Sequence, residues 1–421
     1  MRRIVSLAVI GLLAGYSVAR PQGPPPALTL RDLLLEVRTH HPGLEAARAR
    51  VRAAQGNRAW ASAIANPTFG VQLENVTVPG HSPVPAERET MYTATLPLET
   101  LYQRGPRVRQ AGAELSAAQA GSVALSLQLA LDAAHAFYHA ALAQLELETA
   151  LDLARWLDSV ATYNRLRSRE GLAAEADLLR SELERDRMAA EAALRAAELA
   201  GARAELAGFL SASADAPRLA IPTEPLAAGT GGPGTAVPRV EALRQRLRAM
   251  DAAVSAEHTM LIPQVGFMVG AKESVGRTSL VGGISLPLPL LNWNGGRTAR
   301  ARGERDAAGF ELAQEERMAA ARVTAAAEAS RGLSAQASLL GAKTPDGGSA
   351  YLARAEEVRR ISLGAYQEGA VPLITVVDAA RAWGDARISY YRLLFAQHEA
   401  VLTHFAARGI DPLEALGGIR P

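Results

Sequence analysis

The chain has 421 residues, of which 48% are hydrophobic but only 5% aromatic, a balance that favours long alanine-rich helices over a thick globular core. Lys+Arg is 45 against 43 Asp+Glu, the signs are interspersed with no basic block, and the net charge is +2, which argues against a nucleic-acid footprint. There are 0 Cys, which excludes disulfides, thiolate metal sites, cysteine nucleophiles and a cysteine-linked lipid anchor.

Residues 1–19 read as a secretory signal peptide. Arg2 and Arg3 precede an apolar run over 4–15, and Ser17, Val18 and Ala19 supply the small residues of a cleavage site. Residues 20–27 form an extended spacer, since Pro21, Pro24, Pro25 and Pro26 forbid a helix. A first structural repeat is expected over 28–210. It opens with a helix over 43–64, ended by Asn66-Pro67. The apolar period then falls to two. Phe69, Val71 and Leu73 alternate with polar residues, as do Tyr92, Ala94 and Leu96, giving a strand hairpin over about 67–98 with a proline-rich loop at 76–89. A long helix follows over 107–169, with Leu131, Ala134, Tyr138, Leu142 and Leu145 as a coiled-coil seam. It is about 95 Å long by the helical rise. The chain turns at Glu170-Gly171 and returns to about residue 208.

Residues 211–237 read as a linker, and 238–408 repeat the plan. A shift of 196 carries Pro42 onto Pro238, Pro67 onto Pro263 and Gly70 onto Gly266. A shift of 190 carries Leu96-Pro97-Leu98 onto Leu286-Pro287-Leu288, and one of 198 carries Glu170-Gly171 onto Glu368-Gly369. The second hairpin is expected over about 263–290, with Val265, Phe267 and Val269 on one strand, Leu280, Ile284 and Leu286 on the next, and a short turn at 274–276. The second repeat carries an insertion, for which 341–349 is the candidate, and its helical tip falls at Gly369. Residues 409–421 form a tail.

Strands of this pattern either form a small sheet with one wet face or cross a bilayer when tilted. In lipid, four strands cannot stay open, because every edge group must be paired. Closure then demands an oligomer, and a dimer or a trimer would each serve. The helices carry Arg and Glu throughout, so they project into water.

The ordered landmarks resemble a known family. Leu28-Thr29-Leu30 leading to His41-Pro42-Gly43-Leu44-Glu45 is similar to its opening motif. Asn66-Pro67 before a strand, Leu96-Pro97-Leu98 before Arg104-Gly105, and Leu286-Pro287-Leu288-Pro289-Leu290 resemble its strand–helix junctions. Tyr366-Gln367-Glu368-Gly369 followed by Val376-Val377-Asp378-Ala379 resembles its second tip. Together these resemble the TolC-type outer membrane efflux proteins over about residues 28–407, and the stretch from Ala65 to Asn75 leans towards the CzcC-like heavy-metal subgroup. The resemblance implies a mainly α chain with a small β part. Its four transmembrane strands complete a twelve-stranded trimeric β-barrel, continuous with a coiled-coil periplasmic tunnel. It also implies a homotrimer in outer membrane lipid, working with a periplasmic adaptor and an inner-membrane pump, RND-type favoured. Passive efflux of metal cations or drugs is the expected function. A type I secretion duct and a periplasmic coiled-coil adaptor without a barrel are the alternatives. The sequence lacks the His-Glu-x-x-His and Gly-x-Ser-x-Gly patterns of common hydrolases, and neither an enzyme nor a cofactor is expected.

The expected site residues are therefore structural. Asp378 would form a carboxylate ring at the channel aperture, with Thr375 where the family pattern has a second acid; the plainer reading is that Asp378 faces solvent or pairs with Arg381. Gly171, Leu172, Gly369 and Ala370 are the tip residues where adaptor hairpins would dock, while Glu175 and Asp177 read as a solvated face. Tyr92, Trp60 and Trp293 are interfacial aromatics, and Trp156 and Trp383 belong to helix packing. His135 and His139 have the spacing of helix metal ligands but lack a third group, so they read as packing or surface, and no metal site is expected.

Overall fold

The computed structural model describes residues 27–76, 80, 88–171, 174–210, 218–227, 237–262, 264–287, 293–345 and 348–417. The expected signal peptide, most of the expected spacer, Leu172, the linker centre at 229–234, Pro263 and Leu288–Leu290 lie outside the described residues.

Two helices open the chain. α1 (Leu30–His40) starts on a capping box in which Thr29 and Asp32 satisfy each other's backbone amides. It was not distinguished in the sequence, because at 11 residues its apolar face is short. α2 (Pro42–Ser62) has proline in its first turn, where no amide partner is needed. β1 (Thr68–Glu74) and β2 (Glu89–Pro97) follow, then a short 3-10 turn at Leu98–Leu101. α3 (Arg104–Arg169) has 66 residues, about 99 Å at the helical rise. α4 (Glu175–Ala207) returns along it.

The second half runs α5 (Pro238–Thr259), β3 (Gly266–Ser274), β4 (Arg277–Ser285), α6 (Gly295–Leu340), α7 (Ala350–Gln367) and α8 (Leu373–Ala407), and a short α9 (Pro412–Gly417) ends the described chain. α6 and α7 are separated at 341–349 by a small loop closed by a Lys343–Ser349 bridge.

α2 lies beside the first half of α3, where Asn57 Nδ2 donates to Glu114 Oε2 at 3.0 Å. α4 lies beside the second half, where Arg165 donates to Glu182 at 2.7 Å. The expected narrow seam on α3 is broader than a coiled-coil stripe. Ala134, Tyr138 and Leu145 are buried, but so are Ala133, Ala136, Phe137, Ala140 and Ala141. The cause is that α1, α4 and α8 all pack on this stretch. Leu33, Val37, Phe137, Leu206, Phe395 and Leu402 fill the core there. Alanine lets the helices approach closely, at the cost of little side-chain entropy.

The described part of the expected linker, 218–227, is fastened to both halves. Leu28 pairs with Leu219 in a parallel bridge. The buried amide of Gln144 accepts from Leu219 N at 3.0 Å and donates to Leu219 O at 3.3 Å. Gln397, fully buried, does the same at Leu226, at 3.0 and 2.7 Å. A strand-free segment crossing a core must have its peptide groups paired, and these glutamines supply the partners.

The four strands form one antiparallel sheet in the order β1-β2-β3-β4, so the two hairpins are joined by β2–β3 pairing. β1 and β4 each leave one edge unpaired within the chain. β1 has 7 residues and the others 9, at or just under the length expected of spanning strands. Leu286 lies beyond the end of β4.

Candidate channel aperture and membrane-facing surface

The strand register sorts side chains cleanly. Phe69 pairs with Ala94, which pairs with Val269; Val71 pairs with Tyr92, and Leu96 with Phe267 and through it Ile284. All lie on one face. Its large apolar members are 43% to 84% exposed, with Leu280 the most open. The other face carries Thr68, Gly70, Gln72, Thr93, Thr95 and Lys272, among others. Lys272 sits 3.3 Å from Glu74 and 2.5 Å from Glu89, joining three strands at the far end of the sheet. Glycine is required at Gly270, where a Cβ would lie 2.3 Å from Tyr92 O. Of the expected interfacial aromatics, Tyr92 lies on the apolar face at mid-sheet, opposite Val71, while Trp60 and Trp293 lie at helix ends, 70% and 66% exposed.

At the opposite end, both helical hairpins reverse on a glycine of positive φ, 72° at Gly171 and 78° at Gly369. Only glycine takes this backbone at little cost. At the second tip Gly369 N donates to Tyr366 O at 3.0 Å and Ala370 N to Ala365 O at 2.8 Å, the paired bonds that close a helix end. Both glycines and Ala370 are exposed.

Above the tips, Leu157, Val160, Leu373, Val376 and Val377 form a buried core. Thr375 and Asp378 lie on the exposed side of α8, and the same stripe continues through Ala382 to Asp385. Asp378 is 63% exposed and lies 3.8 Å from Arg381, whose other amino group donates to Glu184 at 2.6 Å. The Asp378 pairing is thus a weak surface contact, and Arg381 mainly ties α8 to α4.

Further ties hold the two hairpins together, and sequence spacing had not shown them. Tyr366 O–H donates to Asn164 Oδ1 at 2.6 Å in a buried bond between residues 202 apart in the chain. Tyr163 O–H reaches Gln367 O at 3.4 Å, and Arg387 donates to Asp152 at 2.9 Å. The Arg359 guanidinium lies between two indoles, 5.5 Å from Trp156 and 4.5 Å from Trp383. The tryptophans therefore pack three helices on a cation, where the sequence showed only packing residues. The signal available was the aromatic and arginine content close to each tip.

His135 and His139 do not converge on a common ligand. His135 Nδ1 is 3.1 Å from Glu399 on α8, and His139 Nδ1 is 3.4 Å from Glu205 on α4. The Glu399 carboxylate holds the His135 pKa above its ordinary value. Buried His398 donates from Nε2 to Glu224 O at 2.8 Å and accepts at Nδ1 from Tyr138 O–H at 2.9 Å. Burial pushes its pKa down. Among the described residues no three His, Asp or Glu side chains gather as metal ligands, and no helix is long and apolar enough to cross a membrane.

A sheet with one apolar face, standing on helical hairpins that close at glycine tips, defines a class: outer membrane channels that extend into the periplasm. The comparisons agree. No family model matches the sequence. The nickel and cobalt resistance protein CnrC of Cupriavidus metallidurans is 32% identical over 312 residues, covering 69% of this chain and 70% of that protein. The nickel-cobalt-cadmium resistance protein NccC of Alcaligenes xylosoxydans xylosoxydans is 26% identical over 288 residues, 67% of this chain and 65% of that one. The fold matches the Campylobacter jejuni CmeC outer membrane channel with a TM-score of 0.75, over 90% of this chain and 85% of that one, at 12% identity. The chain belongs to the TolC-type outer membrane efflux proteins. It is an outer membrane efflux channel with a periplasmic extension, and a conduit rather than an enzyme.

Proposed function

We propose that three copies of the chain, each with a four-stranded sheet, close into one twelve-stranded barrel above a helical tunnel. The observation that carries this is the open sheet, with one apolar face and two unpaired edges. Edges in lipid must be paired, and pairing β4 of one copy with β1 of the next satisfies them. Twelve strands leave a lumen that eight would fill with side chains, and Gly70 and Gly270 keep the inner face low. Apolar Phe69, Val71, Leu280 and Ile284 then meet lipid.

The lower end is the aperture. The exposed stripe of α8 with Thr375 and Asp378 lines it, and the trimer axis brings three Asp378 carboxylates together. Such a ring favours cations in transit. The glycine tips Gly171 and Gly369, with Leu172 and Ala370, receive a periplasmic adaptor, which joins the channel to an inner-membrane pump, RND-type favoured. The names of CnrC and NccC support divalent metal cations such as nickel and cobalt as cargo. Transport energy comes from the pump. The channel contributes only an opening, made by loosening the ties between hairpins.

Native mass spectrometry and planar-bilayer conductance of detergent-purified protein test this, comparing wild type with Asp378→Ala. The expected result is a trimer of low conductance that rises severalfold in the variant. A trimer indifferent to the substitution removes Asp378 from the aperture. A water-soluble monomer without conductance overturns the barrel.

A further inference from the structure

Each of the four junctions between sheet and helices exposes a large apolar side chain. Ile64 leads into β1, Leu101 follows β2, Ile262 leads into β3 and Trp293 follows β4, with exposures of 69%, 81%, 48% and 66%. Immediately beside this collar, the two helices that leave the sheet open with the same arginine spacing. Arg104, Arg107 and Arg109 begin α3; Arg297, Arg300 and Arg302 begin α6.

For Arg104, Arg107 and Arg297, which fall in the first turn, that placement runs against helix electrostatics. A helix N-terminus carries positive partial charge, so it favours Asp or Glu and disfavours arginine. α1, α2, α4 and α5 each carry an acid in the first turn. α3, α6, α7 and α8 carry none, and of these only α3 and α6 place arginine in the first turn. The protein does not compensate them fully. Arg107 lies 4.0 Å from Glu99, and Arg300 lies 3.2 Å from Glu304. Arg104 donates instead to the Ser62 carbonyl at 2.7 Å, Arg302 to His258 at 3.2 Å, and Arg297 reaches the Met260 sulfur at 3.9 Å. None of these acceptors is a carboxylate. Arg109 makes no ion pair among the described residues.

Arg104, Arg109, Arg297 and Arg302 are exposed, which leaves them open to an anion from outside the chain. The collar says what kind. Apolar side chains on one side and guanidinium groups on the other match a lipid, with acyl carbons above and phosphate below. Arg107 stacks 5.9 Å from the Trp60 ring, so an interfacial aromatic and a cation occupy the same level. Guanidinium groups bind phosphate oxygens in paired hydrogen bonds.

We propose that this belt is a binding site for anionic phospholipid headgroups of the periplasmic leaflet. The inference rests on the barrel reading above, which sets the collar at the membrane boundary. The belt fixes how deep the sheet sits, without a covalent lipid.

The test is native mass spectrometry of the detergent-purified protein titrated with phosphatidylglycerol or phosphatidylcholine, at low and high salt. It is paired with reconstitution into vesicles of phosphatidylcholine alone. Wild type is compared with Arg104→Gln, Arg109→Gln, Arg297→Gln and Arg302→Gln, singly and combined, and with the corresponding lysine variants. Phosphatidylglycerol should be retained in preference, less so at high salt. Its affinity should fall by about fivefold for each arginine made neutral near the surface, and lysine should restore most of it. All variants should still enter phosphatidylcholine vesicles. Wild type that retains both lipids equally, or a preference unmoved by salt, overturns the belt even if the variants do not fold. So does a combined variant that keeps the full preference. In each of those cases reconstituted protein leaves the barrel standing. Failure of wild type to enter the phosphatidylcholine vesicles overturns the barrel and the belt with it.

Discussion

Tyr366 and Asn164 show how much one pair can carry at the tip. Both are buried, and the Tyr366 hydroxyl donates to the Asn164 carbonyl, while Asn164 Nδ2 has no partner among the described residues. Tyr366→Phe leaves the whole amide unpaired, a cost of about 1–3 kcal/mol. Because the pair joins α3 to α7, the cost falls on the packing of one hairpin against the other. Raised single-channel conductance with little change in the amount of trimer is the expected outcome; unchanged conductance would remove this bond from the gate. The histidines set a pH dependence of opposite signs. His398 is neutral when folded, with its pKa lowered from 6.5 by burial. The unfolded chain therefore binds the extra proton first, and the stability held above that value is lost as pH falls through it. His135 is raised from 6.5 by Glu399, so its contribution is full below 6.5 and lost as pH rises through the folded value. Thermal unfolding of wild type and His398→Gln between neutral and mildly acidic pH separates them. The variant should lose less stability on acidification. The residues that make these contacts were visible in the sequence; their partners were not, since neither spacing nor composition brings Tyr366 to Asn164 or Tyr138 to His398.

Among the elements, the β3–β4 hairpin holds the clearest local conflict. Its two-residue turn places Val275 at φ 52° and Gly276 at φ 70°. Both central positions of such a turn need positive φ, which suits Asn-Gly and disfavours a β-branched residue. Val275→Asn should therefore stabilise the hairpin by roughly 1 kcal/mol, read as a higher midpoint for thermal unfolding of the assembled protein. A fall would show that Val275 contributes contacts beyond its own chain. The strands themselves were legible because period-two alternation survives in Phe69, Val71 and Leu73 and in their partners. The joining of β2 to β3 was not legible, because Thr90 and Glu273 lie in different halves and carry no pairing signal. α3 was readable as one long helix, with its start misplaced by three residues at Arg104. α1 was hidden behind the stronger signal of His41-Pro42.

At the scale of the whole molecule, the outer face of the sheet is the property to test. Leu280 is 84% exposed and lies at the middle of β4. Arginine on a lipid-facing strand costs about 2–4 kcal/mol near the bilayer midplane. Leu280→Arg should accordingly reduce the fraction of protein recovered folded in the membrane, measured by heat-modifiable mobility on gels. Normal recovery would place that face in water. The order of landmarks, twice over, made the architecture readable from the sequence even though each motif alone is weak.

One asymmetry between the halves has a mechanical consequence. α3 is an unbroken rod from the sheet to the tip, whereas its counterpart is cut between Leu340 and Ala350. A continuous helix resists bending along its whole length, but a jointed one carries load along its axis and no bending moment across the gap. The joint is also pinned, since Lys343 bonds to Glu224 at 2.6 Å, beside the segment that Gln397 clasps. The gap frees α7 from the bending stiffness of α6, whereas α8 runs unbroken and packs on both α6 and α3. A bend at the tips is therefore passed to the sheet directly along α3 but not along the α6–α7 line.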